Sequence, residues 1–199
     1  MRVIIADDHQ VVRFGLKALL ESEGSYQVVA EAENLGDLKI LVQEKEPDVV
    51  ILDYKMPGGH AVAVANYLKR RHTNLKILIF TAQESAVILK ELYLSLVDGV
   101  LLKQDKSSDL LIALRDICSG QRYVSQRVIE YVRNIDLELT SREMQILQLI
   151  LQGLPRSSIA SQLDVSTETV KTHRRNLMRK LEVQNVTQLV NKVNELKIC

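Results

Sequence analysis

Val49-Val50-Ile51-Leu52-Asp53-Tyr54-Lys55-Met56-Pro57-Gly58-Gly59 decides the fold: four apolar residues run straight into an acid, and a Pro-Gly-Gly loop follows. A run so short, so apolar and so rich in β-branched residues reads as a buried strand rather than a helix. The same form recurs three times along the chain. Val3–Ala6 ends at Asp7-Asp8, Ile77–Phe80 ends at Thr81, and Val100–Leu102 ends at Lys103. Amphipathic segments of helical length separate these runs, so the first part of the chain alternates strand and helix. The alternation predicts a doubly wound α/β domain on a parallel sheet, whose strands all finish on one edge. Ligands of such sheets bind outside that edge, where the strand order reverses. Asp7, Asp8, Asp53, Thr81 and Lys103 are thereby gathered from four segments into one pocket.

Three crowded carboxylates repel one another and invite a divalent cation. An all-oxygen set suits Mg²⁺, which keeps several of its own waters. Asp8 and Asp53 are the candidate direct ligands, the backbone carbonyl of Lys55 is a third protein oxygen, and Asp7 acts through water. Once the charge is screened, a carboxylate can attack phosphorus. Mg²⁺, Lys103 and Thr81 then answer the three phosphoryl oxygens. Asp53 is the candidate nucleophile, since its strand is expected at the centre of the sheet. The Met56–Gly59 loop beside it leaves room for a phosphodonor protein to approach. A lone Asp or Thr at a strand end is commonly a helix cap or turn residue. It is the recurrence at four strand ends that selects a phosphoryl site.

From Leu139 onward the pattern is purely helical. Thr140 and Glu143 form a capping box that starts a helix at Ser141, with Met144, Leu147, Ile150 and Leu151 on its apolar face and Gly153 past its end. Ser157–Leu163 makes a short second helix, Asp164-Val165-Ser166 a tight turn, and Thr167 to about Leu181 a longer third helix, the helix-turn-helix arrangement. On the third helix Val170, Leu177 and Leu181 share one side, with Arg174 beside them. Lys171, Thr172, Arg175 and Arg179 share the other. A basic stripe with a small hydroxyl at its centre suits the major groove of double-stranded DNA. A solvated helix face is the ordinary alternative, and the tight turn before the helix tips the balance towards DNA. His173 lies nearer the buried side. A last helix, about Thr187–Leu196, carries Val186, Leu189, Val190 and Val193, a stripe open to packing on its own domain or on a second copy.

The motif set ADDH at 6–9, DYKMPG at 53–58, TA at 81–82 and LLK at 101–103 resembles a two-component receiver domain. LTSRE at 139–143, Gly153, IA at 159–160, Leu163, TVKTH at 169–173 and KL at 180–181 resemble a LuxR-type helix-turn-helix domain. Together they resemble response regulators of the NarL/FixJ class over nearly the whole chain. The resemblance implies a five-stranded parallel sheet of order 2-1-3-4-5 followed by an all-α helix-turn-helix domain. It also implies phosphorylation of Asp53 by a sensor histidine kinase. Lys171, Thr172 and Arg175 would be base-reading residues, and Thr169, His173 and Arg179 would be phosphate contacts. Leu189, Val190 and Val193 would form a dimer contact, and RNA polymerase is a further partner of such a regulator. Two departures stand out. Val100 occupies the position, three before the lysine, where receivers commonly carry an aromatic switch residue. Pro155-Arg156-Ser157-Ser158 replaces the family's hydroxylic cap and Lys-Glu before the IA pair.

Charge follows the same division. The whole chain is net +1. Residues 1–120 are net −3, the receiver span. Residues 121–136, a connector with a short helix around Val128, Ile129 and Val132, are net +1, and residues 137–199 are net +3. An acidic part fits a metal and phosphoryl site; a basic part fits a polyanion. No apolar run approaches the length of a membrane span, and Cys118 and Cys199 lack metal-ligand spacing, so a cytoplasmic regulator with reduced cysteines is expected. His9 reads as a loop or helix-start residue without a metal partner. An enzyme is not expected beyond self-phosphotransfer and slow autodephosphorylation at Asp53. A phosphatase of the haloacid dehalogenase type also combines Asp, Mg²⁺, Thr and Lys, but its nucleophile follows the first strand with a second Asp two residues on. Here Tyr54-Lys55 follow Asp53. A receiver that acts without phosphorylation is the other alternative, kept open by Val100.

Overall fold

A computed structural model describes residues 1–133 and 139–195. The chain divides into two compact units. One comprises Met1–Gln83 and Leu96–Ser125; the other joins Glu84–Ser95 to the chain from Gln126 onward.

The first unit is built on a parallel sheet of β1 (Arg2–Ala6), β2 (Gln27–Ala32), β3 (Val49–Leu52), β4 (Lys76–Thr81), β5 (Gly99–Leu102) and β6 (Tyr123–Val124), in the order β2-β1-β3-β4-β5-β6. The five-strand order expected from the sequence is present, with a sixth, two-residue strand at its edge. That strand falls inside the segment taken as a connector. Its Tyr123 and Val124 pair with Gly99 and Val100. The buried runs are fully enclosed: Val49, Val50, Ile51 and Leu52 are each 0–1% exposed. On one face Val3, Ile5, Val49, Ile51, Leu78 and Leu101 form a common core with Leu16 and Leu20 of α1 (Gln10–Ser22) and with Leu110, Leu114 and Ile117 of α5 (Ser107–Cys118). Two further helices, α2 (Leu35–Lys45) and α3 (Ala61–Arg71), pack against each other and on the sheet.

Register sets the pocket. Ala6 pairs with Leu52 and Thr81 with Leu102, so the residues after those strands stand side by side. Asp53 N–H donates to the Ala6 carbonyl at 2.8 Å and Lys103 N–H to the Thr81 carbonyl at 2.8 Å, carrying the ladder one residue beyond the strands. Past Asp53 the chain turns through Gly58 (φ +94°) and Gly59 (φ +143°), a backbone region that a side chain at Cβ disfavours.

The second unit is helical: α4 (Ala86–Leu94), α6 (Gln126–Arg133), α7 (Ser141–Leu151), α8 (Arg156–Gln162), α9 (Thr167–Lys180) and α10 (Val186–Glu195). α4 is apolar around most of its circumference and packs with α6 and α7. α7 is accordingly buried beyond its expected apolar stripe: Gln145 and Gln148 are enclosed along with Ile146 and Leu149. α8, the Asp164 turn (φ +52°) and α9 form the helix-turn-helix, and Val165 N–H closes it onto the Ala160 carbonyl.

The Thr140–Glu143 capping box is present and has a third member. Glu143 Oε2 accepts from Thr140 N–H at 2.8 Å, from Thr140 Oγ1 at 3.0 Å and from Lys180 Nζ at 2.7 Å, tying the start of α7 to the end of α9. Burial alone would raise the carboxyl pKa. The Lys180 and Thr140 hydrogen bonds outweigh it and hold it below the usual glutamate range. A depressed folded-state pKa contributes stability above the unfolded value, lost as pH falls towards the folded one. Breaking a buried pair costs ~3–5 kcal/mol, and the part-exposed Lys180 reduces that to about 2 kcal/mol. Glu143→Gln is therefore expected to lower the urea midpoint of the helical unit near neutral pH. Its deficit against the parent should begin to shrink as the pH falls below the ordinary glutamate value of about 4.3 and go on shrinking towards the lower folded-state value; equal deficits at neutral and acid pH would rule the linkage out.

Candidate phosphoryl site and nucleic-acid interface

At the carboxyl edge of the sheet, Lys103 Nζ lies 2.6 Å from Asp7 Oδ2 and 3.0 Å from Asp53 Oδ2. Desolvation pulls the ammonium pKa down, but the hydrogen bonds to Asp7 and then Asp53 outweigh it, so the pKa is raised and Lys103 stays a cation. Asp53 Oδ2 is thus committed to Lys103. Asp53 Oδ1 is buried and has no hydrogen-bond partner among the described residues. A buried, orphaned carboxylate oxygen is costly unless a cation or an incoming group meets it.

Ligand atoms of Asp7, Asp8, His9 and Asp53 all lie within 4.8 Å of one another. Asp7 is 2% exposed, with Oδ2 on Lys103 and Oδ1 accepting from His9 N–H at 2.9 Å. Asp8 is open to solvent. His9, read from sequence as a loop or helix-start residue without a metal partner, occupies the N-cap position of α1, and its Nδ1 stands 2.7 Å from Asp8 Oδ1. The pocket fits a small hard cation: hard oxygen donors predominate, one buried oxygen is unsatisfied, and solvent reaches Asp8 for the remaining waters. Lys55 is exposed on the loop that follows Asp53. Thr81 is wholly buried at the end of β4, and its Oγ1 accepts from Gln83 N–H at 3.2 Å, which leaves the hydroxyl proton to donate.

One residue of this pocket escaped the sequence reading. Arg13 on α1 is 6% exposed. Its Nη1 donates to the Asp7 carbonyl at 2.8 Å, its Nε to Glu31 Oε2 at 3.1 Å, and its Nη2 to Glu33. The guanidinium fork therefore fastens the loop carrying the acidic pair to the end of β2. A lone arginine on an amphipathic helix gives no sequence signal of burial; the two glutamates after Ala30 were the available hint. Val100, at the usual aromatic position, is fully buried in β5, and its carbonyl accepts from Ser125 N–H.

In the helical unit, Ser166 caps α9 by accepting from Thr169 N–H at 3.0 Å. Val170 and Leu177 face inward, while Lys171, Thr172, Arg175 and Arg179 are exposed together on the opposite side. Thr169, His173 and Arg174 are half-buried at the margin, Thr169 Oγ1 sharing a hydrogen bond with Ser166 Oγ. The expected stripe is formed by a continuous helix face.

The three residues expected at a dimer contact differ in burial. Leu189 and Val193 are both 0% exposed within the single chain. Val190, half-buried, is the one of the three left with surface to offer.

Residues 3–115 match the response regulator receiver domain family, and residues 137–193 match the family of bacterial regulatory proteins of the luxR family. The chain is 35% identical to the nitrate/nitrite response regulator protein NarP of Escherichia coli K12, over 92% of this chain and 90% of that protein. It is 32% identical to the oxygen regulatory protein NreC of Staphylococcus haemolyticus, over 96% and 95%. Among solved structures, RcsB from Salmonella enterica serovar Typhimurium, bound to a promoter in the presence of phosphomimetic BeF3⁻, superposes with a TM-score of 0.77 at 31% identity, covering 98% of each chain. A structure of two RcsB dimers bound to two parallel DNAs gives 0.80 at 32%. These relatives are regulators rather than metabolic enzymes. With its receiver sheet and its LuxR-type helix-turn-helix, the chain belongs to the NarL/FixJ class of two-component response regulators that control transcription.

Proposed function

We propose that Asp53 is the phosphoacceptor of a Mg²⁺-dependent switch that controls DNA binding by α9. The observation that carries this reading is the unsatisfied Asp53 Oδ1 beside an acidic cluster, with Oδ2 held by Lys103. Asp53 Oδ1 attacks phosphorus of a phosphohistidine on a sensor kinase; the P–N bond breaks and its electron pair stays with the imidazole. Mg²⁺, when bound to Asp8, Asp53 and the Lys55 carbonyl, with Asp7 behind a water, supplies charge neutralisation at the phosphoryl oxygens. Lys103 and the Thr81 hydroxyl donate to the remaining two. Water attack on the acyl phosphate then releases inorganic phosphate and resets Asp53.

The receiver spans 1–120, a linker 121–136 and the DNA-binding domain 137–199, in a cytoplasmic protein. Lys171, Thr172 and Arg175 read base edges, and Thr169, His173 and Arg179 meet phosphates. Phosphorylation favours a homodimer on paired half-sites, as the RcsB–DNA dimers suggest by analogy. Incubating the full chain with acetyl phosphate and Mg²⁺ and weighing it by mass spectrometry tests the phosphosite. One acid-stable, hydroxylamine-labile phosphoryl group is expected per chain, absent in EDTA. Labelling that proceeds equally well in EDTA excludes the metal role.

A further inference from the structure

The groove-facing stripe of α9 does not begin with a cation. Glu168 stands three, four and seven residues before Lys171, Thr172 and Arg175, so it lies on the same helix face, one turn nearer the N-terminus. In a helix-turn-helix that end of the second helix meets the base edges. The Glu168 side chain is 73% exposed, and its Oε1 accepts from Lys171 Nζ at 2.8 Å. The Lys171 hydrogen bond first, and then the charges of Lys171, Arg156 and Arg175, hold its carboxyl below the usual range, so it is ionised.

An acid near a helix start ordinarily serves the dipole or the cap. The cap of α9 is already made by Ser166, and Glu168 accepts from Lys171 rather than from a backbone N–H. On a duplex, a carboxylate on this face is repelled by phosphates unless it meets a donor. The major groove offers two, the amino groups of cytosine N4 and adenine N6, and a carboxylate alone, with no proton to give N7, suits cytosine. Beside cytosine N4 in the same base pair lies guanine O6, an acceptor. The Glu168–Lys171 pair places an acceptor beside a donor, the complement of that edge. Resting on the assignment of α9 as the groove helix, we infer that Glu168 determines specificity: its carboxylate reads cytosine N4 while Lys171 reads the guanine of the same C·G pair.

The test uses the full chain, with acetyl phosphate and Mg²⁺, selecting from a pool of randomised duplexes read by sequencing. The parent is expected to require a C·G pair at one position of each half-site. Glu168→Gln moves the preference there from cytosine to adenine, because a carboxamide pairs with adenine N6 and N7. Glu168→Ala weakens the preference at that position by on the order of tenfold and tightens binding to random duplex. Neither exposed substitution should shift the melting temperature. If both variants select the parental motif at every position with unchanged strength, Glu168 is only a helix-start residue and the inference fails alone. A parent that selects no motif overturns the assignment of α9 together with it.

Discussion

Asp53→Asn is expected to abolish phosphoryl transfer outright and, with it, the rise in DNA affinity that acetyl phosphate induces in the parent. The carboxamide keeps the size of the side chain and can still accept from Lys103, so the sheet edge should fold unchanged. What it loses is the anionic Oδ1, the nucleophile left unsatisfied in the pocket. Coupling between two sites of one protein is typically worth 1–3 kcal/mol, so the lost gain in DNA affinity should be on the order of 5–150-fold. Lys103→Ala separates two roles of the pocket. It should retain metal binding, which rests on Asp8 and Asp53, and still lose most of the gain in affinity, because the phosphoryl group no longer has the ammonium that draws on it. Titrating Mg²⁺ against the intrinsic tyrosine fluorescence, and measuring affinity for a selected duplex with and without acetyl phosphate, checks both. Labelling that persists in Asp53→Asn would move the phosphosite to another carboxylate.

The pocket was legible in the sequence because parallel strands impose a common edge. Four apolar runs, each ending in a polar residue, suggest one edge for Asp7, Asp53, Thr81 and Lys103, and in the sheet Ala6 pairs with Leu52 and Thr81 with Leu102. β2 was less visible among the individual runs, since Gln27 and Glu31 interrupt its apolar pattern and only Ala32 is fully buried. β6 has two residues, too few for any period, and sits where composition suggests a connector. Arg13 was missed for a different reason. Its burial depends on a carbonyl and two glutamates that approach only when β1, α1 and β2 have assembled.

In the helical unit the capping residues were readable because their partners are three positions away. Thr140 with Glu143, and Ser166 with Thr169, are local chemistry. Which apolar stripe meets which neighbour is not local. Gln145 and Gln148 look like a solvent face of α7, yet both are enclosed; Leu189 and Val193 look equally suited to a second copy, yet both are buried within the single chain. A helix stripe records that something apolar will cover it, and leaves open whether the cover comes from the same chain.

Arg175 and Arg179 offer the sharpest distinction between reading bases and holding phosphate. Both are exposed on the outer face of α9, and among the described residues neither has an ion-pair partner, whereas Lys171 is engaged by Glu168. Arg175 lies one turn beyond Lys171 on the same face, and Arg179 a further turn on, farther from the N-terminal end by which such a helix meets base edges. Arg175→Ala should cost roughly 1–3 kcal/mol on the selected duplex and relax the preference at one position, while affinity for random duplex falls much less. Arg179→Ala should weaken selected and random duplexes alike and lower the slope of log affinity against log salt by about one unit. Titrations of both variants at several salt concentrations, on one selected and one random duplex, separate the two outcomes. If Arg175→Ala weakens both duplexes equally, the residue holds phosphate, and base reading rests on the Glu168–Lys171–Thr172 turn alone. If neither variant changes affinity for any duplex, the basic stripe is a solvated face and the groove must be entered by another surface.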